Sequence, residues 1–179
     1  MVLKTIFAGF GGQGVLSMGL NLSQAAMLDG KHVTYLPAYG AEVRGGTANC
    51  TVAIADEEIA SPVASSPDFI VAMNQPSLVR FQNKLQTGGI FFLNSSLVTE
   101  AVPRGDVDIL EIPVNDLAEE LGNSKCANMI MLGALIKKTN LVSKDALMEG
   151  LKNAFKNKKK LIPLNEKALS CGFDYVPAE

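Results

Sequence analysis

Gly9-Phe10-Gly11-Gly12-Gln13-Gly14 stands between an apolar run over 2–8 and a helical pattern starting at Val15. That order of strand, glycine turn and helix constrains the fold more than any other feature of the chain. Without a Cβ, glycines at 9, 11 and 14 let the backbone turn tightly, admit a phosphate or another backbone closely, and seat the helix on the strand. The helix start offers unpaired N–H donors and a positive dipole end, so an anion has a place there.

At 179 residues, 47% hydrophobic and 19% charged, the chain reads as one well-buried domain spanning 1–179. A mean hydropathy of +0.19 points to a sheet covered on both faces, or to apolar surface reserved for partner subunits. Net charge −2 argues against a nucleic-acid role, which needs clustered positive charge. The basic cluster Lys156, Lys158, Lys159 and Lys160 reads as a solvated helix end whose lysines complement the dipole. Cys50, Cys126 and Cys171 lie far apart without a C-x-x-C, so neither a disulfide framework nor a cysteine-held iron–sulfur or zinc site is supported. Lys4 inside a strand-like run does not suit a cleavable signal peptide, and the apolar stretch 126–136 is too short to span a bilayer. The expectation is a cytoplasmic chain with no membrane contact.

Along the chain, strands are expected at 2–8, 32–36, 47–55, 69–73, 90–93 and 107–112, with a short return strand at 59–63. The first two, with the intervening helix 15–28 stopped by Asp29-Gly30, suggest a βαβ unit. Helices are expected from Pro76 to about Leu85, and over 116–121, 126–137 and 144–155, the last capped by Ser143. A break at Ile162-Pro163 and a final helix over 165–171, ended by Gly172, complete the pattern. The fold class is α/β: a single doubly wound, mostly parallel sheet domain, Rossmann-like, with a helical C-terminal tail.

A glycine turn of this kind first suggests NAD. The second strand ends Tyr35-Leu36-Pro37-Ala38, without the carboxylate that holds ribose hydroxyls, and Asp29 falls in the turn before it, so NAD is demoted. Glu42, Arg44, Gly45 and Gly46 emerge beyond that strand, beside the turn. An arginine fork there suits a carboxylate or phosphate; a loop braced by its own Glu–Arg pair suits the residues equally. Asn74 and Gln75, and Asn94 and Ser95, follow two further strands. Each pair alone reads as helix capping, whereas convergence with Gly9, Gly11, Gly12, Gln13 and Gly14 on one sheet edge suggests a site. No Ser–His–carboxylate, Cys–His or paired-acid set can be assembled, so no catalytic residue is assigned.

Three segments, 9–15, 37–50 and 73–78, together resemble the gamma subunit of 2-oxoacid:ferredoxin oxidoreductases. The form Glu42-Val43-Arg44-Gly45-Gly46-Thr47-Ala48-Asn49, with Asn94-Ser95-Ser96, is more similar to the 2-oxoglutarate and 2-oxoisovalerate members than to the pyruvate members. The resemblance implies a complex that decarboxylates a 2-oxoacid on thiamine diphosphate, passes electrons through iron–sulfur clusters to ferredoxin, and releases the acyl group on coenzyme A. It places thiamine diphosphate, Mg and the clusters on alpha, beta and, where present, delta subunits. This chain would then help to enclose the active site, with Gly11 to Gly14 approaching either the pyrophosphate of coenzyme A or the facing subunit, and Arg44 contacting the anionic substrate or cofactor. A non-catalytic scaffold and a free-standing nucleotide-binding domain are the alternatives, and homodimerisation of the isolated chain through partner surface stays open.

Overall fold

The computed structural model describes residues 1–39 and 46–177. In chain order the strands are β1 (Val2–Phe10), β2 (His32–Tyr39), β3 (Thr47–Ala55), β4 (Phe69–Ala72), β5 (Ile90–Asn94) and β6 (Asp108–Ile112). The helices are α1 (Val15–Leu28), α2 (Gln75–Phe81), α3 (Val114–Glu120), α4 (Ala127–Thr139), α5 (Lys144–Ala154) and α6 (Ile162–Tyr175). One sheet carries all six strands in the order β2-β3-β1-β4-β5-β6. β1, β4, β5 and β6 run parallel, and β3 runs antiparallel to both its neighbours.

Alternate strand residues feed two cores, as a two-residue side-chain period requires. Phe7, Val71 and Phe92 join Cys50, Val52 and Ile54 beneath α1 and α4, with α3, α5 and α6 in the same cluster. Ile6, Ile70, Phe91 and Leu93 point the other way, under Leu78 and Phe81 of α2 and the loop residues Val98 and Val102. The mostly parallel, doubly wound architecture is therefore present, with its helices distributed unevenly between the two faces.

The first difference from the sequence reading lies at the βαβ unit. β2 is not a neighbour of β1, because β3 is inserted between them. Burial explains the order. Seven of the nine β3 residues are buried, on both faces, so this strand needs an interior slot. His32, Leu36 and Ala38 of β2 are exposed, and Pro37 has no N–H to donate, which suits an edge. Gly19 of α1 lets the helix sit on this pair, since a Cβ there would meet Cys50 Sγ at 2.4 Å.

Other expectations also change. Residues 59–63 form no strand. α2 ends at Phe81, short of Leu85. Pro163 lies in the first turn of α6 rather than breaking the chain, because the missing proline N–H costs nothing there. Gly172 lies inside α6 and does not terminate it. It serves close packing: a Cβ there would come within 1.9 Å of Ile130 O, and one at Gly133 within 2.1 Å of Leu169 O.

The C-terminal third is thus more than an appended tail. Every residue from Ala127 to Ile136 of α4 is buried, as its all-round apolarity demands. α4 lies in the first core, and α6 packs onto it through the two glycines. No helix among the described residues is long and apolar enough to cross a membrane.

Candidate functional site

The carboxyl ends of β1, β4, β5 and β6 share one sheet edge, where open α/β sheets bind ligands. The turn after β1 is closed twice. Gln13 N donates to Phe10 O at 3.1 Å, and Phe10 N donates to Gln13 Oε1 at 2.8 Å. Gly12 has φ 99°, the positive φ that a type II turn requires at its third position.

The glycines divide by physical role. A Cβ on Gly9 would meet Gln13 Oε1 and Val15 Cγ1, both at 2.8 Å. One on Gly14, at φ 72°, would meet Asn128 Nδ2 at 2.3 Å. These two are glycine because the fold leaves no room. Gly11 is exposed, with only Gly46 O at ordinary distance; its N–H donates to that oxygen at 3.0 Å. α1 begins at Val15 without a side-chain cap, so its first-turn donors stay available at the turn.

The loops expected to converge do so partly. Asn74 Nδ2 donates to Gln13 Oε1 at 2.7 Å, and Gln13 Nε2 donates to Met73 O at 3.1 Å. Asn94 Nδ2 donates to the same Met73 O at 3.0 Å and to Asn115 Oδ1 at 2.8 Å. Asn74 also caps α2 by accepting from Ser77 N at 2.9 Å. Asn94 is fully buried, so it braces the site without reaching a ligand. Ser95 N donates to Ile112 O at 3.0 Å, tying β5 to β6. Gln75 turns elsewhere: its Oε1 accepts from Thr99 N and Glu100 N, each at 3.0 Å. Glu42, Arg44 and Gly45 lie outside the described residues.

Asp29 sits at the far end of α1, roughly 20 Å from the turn at 1.5 Å per residue. Its carboxylate accepts from Ser143 Oγ at 2.7 Å. It ties α1 to α5 and is out of reach of any ribose at the glycines.

Several residues at this edge escaped the sequence reading. A cleft of about 190 Å³ is lined by Gly12, Gln13, Met73, Asn115, Lys125 and Asn128, among others. Asn128 Nδ2 donates to Gly14 O at 3.3 Å. A second cleft, of about 260 Å³, shares Lys125 and Asn128 and continues past Ser17 and Asn165 to Phe155 and Leu161. On the other flank Arg80 Nη1 donates to Thr47 Oγ1 at 2.9 Å. A signal for Asn128 existed: it is the polar residue in the otherwise apolar run 126–136. Cys126, which lines the second cleft, has its thiol pushed up by burial and stays neutral.

Comparison with known proteins decides what kind of domain this is. The family model for pyruvate ferredoxin/flavodoxin oxidoreductase matches residues 4–175. The chain belongs to this family. Ketoisovalerate oxidoreductase subunit VorA of Methanothermobacter thermautotrophicus is 41% identical over 97% of the chain, and the chain spans only 36% of that relative's length. The 2-oxoglutarate synthase subunit KorC of Methanothermobacter marburgensis is 39% identical over 82% of the chain and 83% of the relative. Among solved structures, the gamma subunit of a keto/oxoacid ferredoxin oxidoreductase from Geobacter sulfurreducens has a TM-score of 0.84 at 29% identity, covering 96% of each chain. The 2-oxoglutarate:ferredoxin oxidoreductase of Magnetococcus marinus, solved with 2-oxoglutarate, coenzyme A and succinyl-CoA bound, has a TM-score of 0.89 at 25% identity. It covers 99% of this chain and 32% of its own. The domain thus exists in the family both as a separate subunit and as about a third of a longer polypeptide.

Proposed function

We propose that this chain is the gamma subunit of a 2-oxoacid:ferredoxin oxidoreductase, which oxidatively decarboxylates a 2-oxoacid to an acyl-CoA and reduces ferredoxin. The observation that carries this reading is co-extension with a gamma subunit, 96% of each chain at a TM-score of 0.84. In such a complex thiamine diphosphate supplies the carbanion chemistry. The residues here do not fit a resident redox centre: among the described residues no group of three His, Cys, Asp or Glu could hold a metal ion, and Cys50 is fully buried in the core. In this reading thiamine diphosphate, Mg and the iron–sulfur clusters reside on alpha, beta and, where present, delta partners.

The chain's own work is positional. Gln13, Asn74, Asn94 and Asn115 satisfy one another and Met73 O, which makes the glycine turn a rigid wall. A turn held this way presents the uncapped first-turn donors of α1 from a fixed position, as one wall of a site that other subunits complete. For the substrate we favour 2-oxoglutarate, because the 2-oxoglutarate synthase relative combines 39% identity with a match over 82% of this chain and 83% of its own length. A branched 2-oxoacid is the second reading, favoured by the 41% identity to the ketoisovalerate subunit.

Affinity purification of this chain from its native host tests both. Co-purifying subunits with 2-oxoacid- and coenzyme A-dependent viologen reduction are expected, with a panel of 2-oxoacids ranking the substrates. A chain that purifies alone, or with partners that reduce no viologen on any 2-oxoacid, refutes the assignment.

A further inference from the structure

α1 carries no charge: all 14 positions from Val15 to Leu28 are apolar or neutral polar. A helix with one side in solvent ordinarily has a charged face. Val15, Met18, Leu22, Ala25 and Ala26 belong to the core, and α5 covers the flank at Asn21 and Ala25, since a Cβ on Gly150 would lie 3.3 Å from Ala25 N. Leu20, Gln24, Met27 and Leu28 remain, and their i, i+4, i+7, i+8 spacing puts them on one face. Leu20 is 44%, Met27 64% and Leu28 50% exposed. α5 shows the contrast, because its exposed positions include Lys144, Asp145, Glu149 and Lys152.

Single exposed apolar side chains are ordinary, whereas a contiguous face without charge marks an interface. The kind of partner follows from the polar content. Interfaces between unlike proteins use charges to set register and exclude wrong partners, while contacts between identical chains are more apolar. The polar side chain on this face is Gln24, at its centre, with Leu20 four positions before it and Leu28 four after. Its Oε1 is buried and has no donor among the described residues. An amide oxygen left in that state is costly, and it gains a donor when the side chain turns to a facing amide. An amide offers both a donor and an acceptor, so a second Gln24 is its complement.

We propose that this face of α1 docks a second copy of the chain, about a two-fold axis through Gln24. The axis sets α1 antiparallel to its mate. Leu20 of each copy then packs against Leu28 of the other, Met27 fills the space between them, and the two Gln24 amides exchange hydrogen bonds. In an apolar seam that amide pair fixes the register, because a slip leaves both amides unpaired. Gly14 lies ten positions (24 less 14) before Gln24, about 15 Å along the helix, so the two glycine turns stand at opposite ends, about 30 Å apart. Both candidate sites stay open to other subunits. One helix face is smaller than the roughly 800 Å² per partner of a standard interface, so dissociation in the micromolar range is expected.

Sedimentation equilibrium of the full chain, from micromolar to millimolar concentration, tests the proposal. Wild type is expected to pass from monomer to dimer. Gln24→Glu and Gln24→Lys each place like charges across the axis and are expected to weaken self-association about tenfold or more. An equimolar mixture of the two should regain the dimer, because opposite charges then meet. Glu and Lys are strong helix formers, and circular dichroism verifies that both variants fold. Leu20→Lys should stay monomeric, whereas Val79→Glu, at an α2 position 52% exposed, should dimerise like wild type. A wild type monomeric at every concentration, or a dimer indifferent to both Gln24 charges, overturns the docking face. So does a mixture that stays monomeric, since Gln24 then does not meet its own copy. None of these outcomes depends on 2-oxoacid oxidation, so the enzyme assignment stands or falls separately.

Discussion

Gly172→Ala sets two physical effects of opposite sign against each other. In an exposed helix interior, glycine to alanine stabilises by about 1 kcal/mol through backbone entropy. Here a Cβ would lie 1.9 Å from Ile130 O and 2.8 Å from Ala134 N, where ordinary contact starts at 3.4 Å. Both obstacles are backbone, so no rotamer change relieves them, and α6 must move off α4 by about 1.5 Å (3.4 less 1.9). A gap of this size forfeits much of the dispersion between the facing surfaces, and overpacking costs about 3–4 kcal/mol at the upper end of its range. Subtracting the propensity gain leaves a net loss of about 2–3 kcal/mol. With a urea m-value of about 2 kcal/mol/M, the midpoint should fall by about 1–1.5 M. Gly133→Ala should behave alike, because its Cβ would lie 2.1 Å from Leu169 O. Gly105→Ala, where a Cβ meets nothing within 4 Å, serves as the neutral control. A midpoint for Gly172→Ala equal to or above wild type would refute the close α4–α6 contact.

Gln13→Ala removes the acceptor for Phe10 N and Asn74 Nδ2 and a donor to Met73 O; leaving such groups unpaired should cost about 2–3 kcal/mol, read as a Tm lower by about 5–10 °C in scanning calorimetry. Gly14→Ala combines a φ of 72° with a clash on the Asn128 side chain. Adding Asn128→Ala should recover the steric part and leave the backbone part, so the two substitutions should be non-additive in urea titrations. Burial pushes the Cys50 thiol up to about 12 from 9.0, so it stays protonated in the folded chain and should resist alkylation at pH 8 until urea unfolds it. In the unfolded chain this thiol ionises near 9.0. The folded state therefore holds more protons between about pH 9 and 12, and stability should fall as pH rises through that window, more steeply than in Cys50→Ala.

Much of the candidate site was legible because short-range rules govern it. The positive φ of Gly12 and Gly14, the Asn74 cap before Pro76 and the Ser143 cap of α5 each involve residues within a few positions of one another. The all-round apolar run of α4 likewise announced a buried helix. Asn94 and Gln75 show where such reading stops. Both looked like residues for a ligand, yet Asn94 is enclosed between Met73 and Asn115, while Gln75 latches the backbone at Thr99 and Glu100. Partners 20 or more positions away decided their roles, and spacing carries no record of such partners.

By itself the sequence determined the turn after β1, the seating of α1, the period of each strand and the family to which the chain belongs, since these depend on backbone sterics, local periodicity and motif order. Only the tertiary structure decided that β3 enters between β1 and β2 and that Gly172 is a contact inside a helix. Those outcomes follow from which buried faces find cover, and that is settled by the whole core at once.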